Sequence, residues 1–209
     1  EKLEKPIRTT FTLFNASQIH GIPQLVAPTP QSKQVQLDVA KDFIASSDCP
    51  ITYAAQERAF YSLGLDRITV PPKEFFKDEE SFLATVTHEM GHSTGHKKRL
   101  DRDMSGDFGS MSYAKEELVA ELCSMFTQSN LDIELKGEHF ENHAAYLQSW
   151  ISILKDDPNE LFIAAEKASK AADYLYDRFL EYDNEKLKSS KEFGDKQLEV
   201  NNNNHEHTD

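Results

Sequence analysis

The sequence predicts an α+β fold: a small sheet with an edge strand beside an active-site helix, and a mainly helical C-terminal part. Three observations lead there. Two short β-branched segments, Ile51-Thr52-Tyr53 and Asp66-Arg67-Ile68-Thr69-Val70, precede a stretch with helical periodicity. That stretch contains His88-Glu89-Met90-Gly91-His92, and helical patterns continue from there to beyond Phe179. The 209 residues suit one ordinary domain, and 38% apolar content with thirteen Phe allows it a buried core.

The elements follow in order. Phe11-Thr12-Leu13-Phe14 reads as a strand, and Gly21-Ile22-Pro23 to Pro30 as a connector, so residues 1–30 form an N-terminal strand and connector. Ser32 to Ser46 carries Val35, Val39, Phe43 and Ile44 at near-helical spacing. The second strand stops at Pro71-Pro72, and because Pro is tolerated most easily at an edge, Ile68 to Pro71 is expected to be the edge strand by the cleft. A helix capped by Asp78 runs through Phe82, Leu83, Val86 and Met90. The next follows a Ser112 cap, with Leu118, Leu122 and Met125 on one face and Val119, Cys123 and Phe126 beside it. A third spans roughly 138–154, and Asp157-Pro158-Asn159-Glu160 opens a fourth with a capping box and Pro at its first position. Residues 31–180 are thus expected to form the main domain. From Glu181 to Asp209, eight acidic and four basic residues and the run Asn201 to Asn204 bury too little apolar surface for a core, so 181–209 reads as a disordered acidic tail.

Charge and composition exclude several classes. A net charge of −13 argues against a broad basic footprint for duplex DNA, so nucleic-acid binding is not expected of this chain alone. No apolar run is long enough to span a membrane, and the first residues, Glu1-Lys2-Leu3-Glu4-Lys5, show no signal peptide. Without an initiator Met the chain reads as a fragment of something longer. Cys49 and Cys123, far apart, suit two reduced core thiols and a cytoplasmic location.

The chemistry lies in His88-Glu89-Met90-Gly91-His92. On a helix, positions i and i+4 share one face with Cβ atoms about 6 Å apart, so two imidazoles can converge on one ion. Glu89 flanks the same face, where a carboxylate can reach water without displacing a ligand. A catalytic zinc takes three protein ligands, and His96, Glu117 and Glu121 are candidates for the third. Three ligands on successive turns of a straight helix would spread over about 12 Å, which disfavours His96 unless Gly95 breaks the helix. Glu117 and Glu121 share one face of the next helix, from which one carboxylate can complete the site and the other can orient an imidazole; the plain alternative is an acidic helix start favoured by the helix dipole. Lys97-Lys98-Arg99 with Arg102 reads as a solvated basic turn, the sharper option being contact with a phosphate or acidic partner.

Several ordered motifs carry a family resemblance. They are His88 to His96 through Arg99-Leu100, Phe108-Gly109, Tyr113-Ala114-Lys115-Glu116-Glu117-Leu118-Val119-Ala120-Glu121, Asn142-His143-Ala144-Ala145-Tyr146 with Trp150, and Ala171-Ala172-Asp173-Tyr174-Leu175. Over residues 11–176 the chain resembles the zincin-like metallopeptidase domain of ArdC-type antirestriction proteins of mobile elements. Phe14-Asn15-Ala16-Ser17-Gln18 is similar to the strand entering that domain. The resemblance does not extend to the single-stranded-DNA-binding domain typical of ArdC proteins, so that domain's DNA binding is not expected of this stretch.

The resemblance implies His88 and His92 as metal ligands, Glu89 as general base, and Glu117 as third ligand with Glu121 orienting an imidazole; the reverse order of the two acids stays open, as does His96 as an alternative ligand. It makes His143 and Tyr146 candidates to donate to a developing oxyanion, beside the plainer reading of a hydrogen-bonded core pair. Zn2+ is the implied cofactor, and a protein or peptide the implied substrate. Three functions follow as expectations: a zinc metallopeptidase of an antirestriction protein, a non-catalytic zincin scaffold that obstructs a host restriction or defence protein, or a structural zinc domain of a larger protein.

Overall fold

The computed structural model describes residues 31–133 and 144–205, with side chains on the last helix to 190, and residues 12, 14–15 and 18–21 before them. The chain divides into two units, Glu1–Pro30 and Gln31–Asp209. In the first, the Asn15 amide donates to Gln18 Oε1 at 2.8 Å; the strand expected over 11–14 falls largely outside the described residues.

In the second unit, α1 (Lys33–Ala45) leads into β1 (Ile51–Tyr53), β2 (Phe60–Ser62) and β3 (Arg67–Val70), followed by α2 (Glu79–Ser93), α3 (Met111–Asn130), α4 (Ala144–Asp156) and α5 (Asn159–His205). Ser32 caps α1 by accepting from Val35, and the helix buries Leu37, Ala40 and Phe43. β1 and β3 pair in parallel, Ile51 opposite Ile68 and Tyr53 opposite Val70. β2 and β3 form an antiparallel hairpin, Phe60 opposite Thr69 and Ser62 opposite Arg67. The order β1-β3-β2 corrects the assignment of Ile68 to Pro71 as the edge: β3 is central. Pro71 and Pro72 follow its last paired residue, so their missing N–H groups leave no gap in the ladder, and Pro there says nothing of edge or centre. β2 was missed because Phe60-Tyr61-Ser62 is too short to show alternation. β3 turns Ile68 and Val70 fully into the core, and α2 packs across β2 and β3.

α2 starts as expected, Asp78 Oδ1 accepting from the Ser81 amide at 2.7 Å. Its residues 81–93 are all buried. The expected division into an apolar face and a polar metal-facing stripe therefore becomes a helix enclosed on every side, its polar stripe covered by α3. α3 begins two residues earlier than anticipated: the Ser110 hydroxyl, not that of Ser112, accepts from Tyr113 at 3.1 Å. Its buried positions include Glu117, Leu118, Val119, Ala120 and Cys123, while Met125 is exposed. The third predicted helix is described from Ala144, its expected start at 138 lying outside the described residues. Trp150 on α4 donates through Nε1 to Ala114 O at 2.8 Å, fastening α4 to α3.

α5 packs against α3 and buries a stripe of small residues, Ala164, Ala168, Ala171 and Ala172, that ends at the larger Leu175. Alanines at three- and four-residue spacing let two helix backbones approach closely. The segment from 181, read as disordered, continues α5 as helix to His205. Low apolar content rules out a core but not a helix: Glu, Lys and Leu favour helix intrinsically, and Lys186 pairs with Asp42 of α1 at 2.6 Å.

Candidate metal centre

The centre is built between α2 and α3. The i, i+4 spacing sets His88 and His92 edge to face, with ring centroids 4.8 Å apart and planes at 85°. Glu117, on the facing turn of α3, lies 3.5 Å from Nε2 of each ring, one carboxylate oxygen toward each. His88, His92 and Glu117 are buried and each offers a ligand atom within 4.8 Å of the others, a group that could hold a metal ion. Two imidazoles and one carboxylate fit a zinc-type cation, with room in the coordination shell for solvent. The outer nitrogens also meet carboxylates: His88 Nδ1 lies 3.3 Å from Glu121 Oε2, and His92 Nδ1 lies 3.4 Å from Glu116 Oε1. A ligating imidazole of this kind is commonly held in orientation through its second nitrogen.

Gly91, inside the motif, sets the distance between the helices. A Cβ there would sit 3.2 Å from Ala120 O and 3.5 Å from Cys123 Cβ. Both neighbours belong to a rigid, packed helix that cannot give cheaply. Gly91→Ala is therefore expected to destabilise the protein by about 1–3 kcal/mol, seen as a lower thermal midpoint with and without metal.

Glu89 is buried, 8% exposed, and its charge helps raise the pKa of both histidines. Burial alone would lower the pKa of His88, but Glu117 and Glu121 outweigh it and raise it to about 9. Burial likewise opposes, and Glu116 and Glu117 override, a rise for His92 to about 10. Glu117 moves the other way: despite burial, the two imidazoles hold its carboxyl far below the usual range. Without metal the surrounding carboxylates thus favour the protonated form of both rings and the ionised form of Glu117. Because a ligating imidazole must be neutral, loading is expected to release protons at pH 7. Affinity should climb as pH rises toward 9–10; calorimetry in buffers of different ionisation enthalpy counts the protons.

The other candidates lie elsewhere. His96, past the end of α2, turns its Nδ1 to Asp66 Oδ2 at 3.5 Å and accepts from the Lys98 amide at 3.2 Å, apart from the His88/His92/Glu117 group. The turn after Ser93, with Gly95 within it, carries His96 off the ladder. His143 lies outside the described residues, and of Tyr146 only the backbone, in α4, is described.

The basic run divides in two. Lys97 and Lys98 are exposed, but Arg99 and Arg102 are not a solvated turn, their side chains being 3% and 6% exposed. Arg99 Nη1 donates to Asp66 Oδ1 at 2.7 Å and to Ser93 O at 3.0 Å, while its Nε reaches Asp48 at 3.1 Å. Tyr61 and Tyr174 hydroxyls complete the cluster on Asp66 and Asp48. Burial works against ionised Asp66, yet Arg99 and Tyr61 hold its pKa down at about 2. Arg102 binds Glu116. Sequence reasoning named Arg102 in the basic run but gave neither it nor Glu116 a place at the centre; the adjacent acids Glu116-Glu117 were the available signal, since neighbours 100° apart on α3 can face different atoms of α2.

The family model described as a zincin-like metallopeptidase matches residues 38–167. DNA primase TraC of Escherichia coli is 43% identical over 173 residues, covering 83% of this chain and 12% of that protein. The uncharacterized protein y4eC of Sinorhizobium fredii is 34% identical over 181 residues, covering 84% of this chain and 57% of its own length. Crystal structures of the antirestriction ArdC protein from the R388 plasmid, Mn(II)-bound and metal-free, superpose with TM-scores of 0.66 and 0.64 at 38% and 35% identity. They cover 79% and 80% of this chain, which spans 60% of the ArdC chain. The chain thus spans less than two thirds of each of these relatives. Among the described residues no helix is long and apolar enough to cross a membrane.

Proposed function

The chain belongs to the zincin-like metallopeptidase family, and from that premise we propose that it is a metal-dependent peptidase domain of an antirestriction protein carried by a mobile element. One observation carries the reading: the Nε2 atoms of His88 and His92 face a single carboxylate, Glu117, while Glu89 projects from the same helix. His88, His92 and Glu117 would hold the ion, Zn2+ by the chemistry of the set, although imidazole and carboxylate also accept the Mn(II) found in the ArdC structure. A cation there supplies Lewis acidity, which acidifies water and polarises a peptide carbonyl. Glu89 accepts the proton of the attacking water and delivers it to the departing amine nitrogen. Glu121 holds His88 in the tautomer whose Nε2 is free to ligate. Among the described residues β2 has one unpaired edge, where an extended peptide can add as a strand. His143 and Tyr146 remain candidates to donate to the carbonyl oxygen.

The test is purified protein loaded with Zn2+ or Mn2+ and incubated with unfolded polypeptides. Metal-dependent fragments, located by mass spectrometry, are expected; intact substrate with a fully loaded protein would refute the peptidase.

The similarity to a protein described as antirestriction favours a second reading, a scaffold that binds and obstructs a host restriction or defence protein without cleaving it. Its sign would be protection from restriction that survives Glu89→Ala. Protection abolished by that change returns the function to hydrolysis.

A further inference from the structure

We propose that Arg102 and Glu116 act as a pair of positioning residues that fix the ring of His92 for metal ligation. The proposal rests on the reading of His88, His92 and Glu117 as the metal site. Arg102 grips Glu116 with a fork, Nε to Oε2 at 3.1 Å and Nη2 to Oε1 at 2.6 Å. The Glu116 oxygen taken by Nη2 is also the one 3.4 Å from His92 Nδ1. The guanidinium is anchored at its other side on the turn that bears His92: Nη2 donates to Gly91 O at 2.9 Å and Nη1 to Thr94 Oγ1 at 2.5 Å. Thr94 in turn donates to Gly91 O at 2.6 Å.

The chain of contacts therefore closes on itself. It leaves α2 at Gly91 and Thr94, passes through Arg102 to Glu116 on α3, and returns to α2 at His92. Each link limits one freedom of the ring. The helix sets the height of His92, and Glu116 sets the direction of its Nδ1. Arg102 prevents the Glu116 carboxylate from swinging to Nε2, where Glu117 and the ion belong. A buried ion pair contributes little net stability when apolar groups could replace it. Its placement against a ligand's outer nitrogen is better accounted for by orientation, since outer partners of ligating histidines tune metal affinity.

The experiment titrates Co2+ into the full chain, reading both affinity and the visible absorption band that reports coordination geometry. Glu116→Gln and Arg102→Lys are expected to weaken Co2+ binding about 10–100-fold and to shift the band. The double variant Arg102→Met/Glu116→Gln leaves no lone buried charge, and decides the matter if a single variant fails to fold. Phe43→Leu, remote from the site, serves as a destabilised control and is expected to bind as the unaltered protein does. Variants that melt cooperatively and keep full affinity and band would overturn the positioning role alone. Failure of the unaltered chain to take up Co2+ would overturn the metal site together with it.

Discussion

Glu89→Gln is expected to lower peptide hydrolysis by about 10²–10⁴-fold, the usual range for a general acid–base group, while metal content stays unchanged. Gln keeps the shape of the side chain but cannot take a proton. Metal should remain because the candidate ligand group consists of His88, His92 and Glu117 and does not include Glu89. The measurement pairs elemental analysis of the purified variant with cleavage of an unfolded polypeptide. A variant that retains metal and cleaves at the original rate would remove Glu89 from the base role.

Glu117→Ala should have the largest effect on the metal, weakening binding by more than the roughly 10–100-fold typical of an outer partner. It also strips the metal-free centre of the acceptor shared by both rings. Removing one partner of a buried ion pair costs about 3–5 kcal/mol, and Glu117 is 7% exposed in its side chain. The pH profile of that loss has a definite sign. The depressed Glu117 contributes stability that is present above its ordinary value of 4.5 and lost on acidification below it. The raised histidines contribute stability that is present below their ordinary 6.5 and lost as pH climbs through about 9–10. Unaltered and variant proteins, both with chelator, should thus differ most between about pH 4.5 and 6.5 and converge above pH 10. Thermal melts at pH 6 and pH 10 check this.

Local signals carried most of the architecture. Ser32, Asp78 and Asp157 accept from amides just after them, because a cap is decided by a few adjacent residues. The pairing of β3 was not legible: whether a short strand is central depends on partners elsewhere in the chain, and β2 has only three residues. At the centre, the sequence brought His88 and His92 to one face and offered Glu117 and Glu121 from the next helix. Helical spacing alone could not rank the two acids, because it places both on one stripe and only the register of α3 against α2, set at Gly91 and Ala120, decides which faces Nε2; the preference for Glu117 came from the family resemblance. Arg102 was unreadable for a related reason. A basic residue in a polar loop looks solvated until the loop is seen to fold back over α2.

The facing of two imidazole nitrogens with one carboxylate has a consequence for how the protein passes between empty and filled states. The carboxylates of Glu116, Glu117 and Glu121 raise the proton affinity of both rings, so an arriving dication has to displace protons that the same carboxylates hold. The enclosed charge would then change by less than the ion's own. Acid and metal become rival occupants of a single prepared space, each able to hold the scaffold in shape for the other.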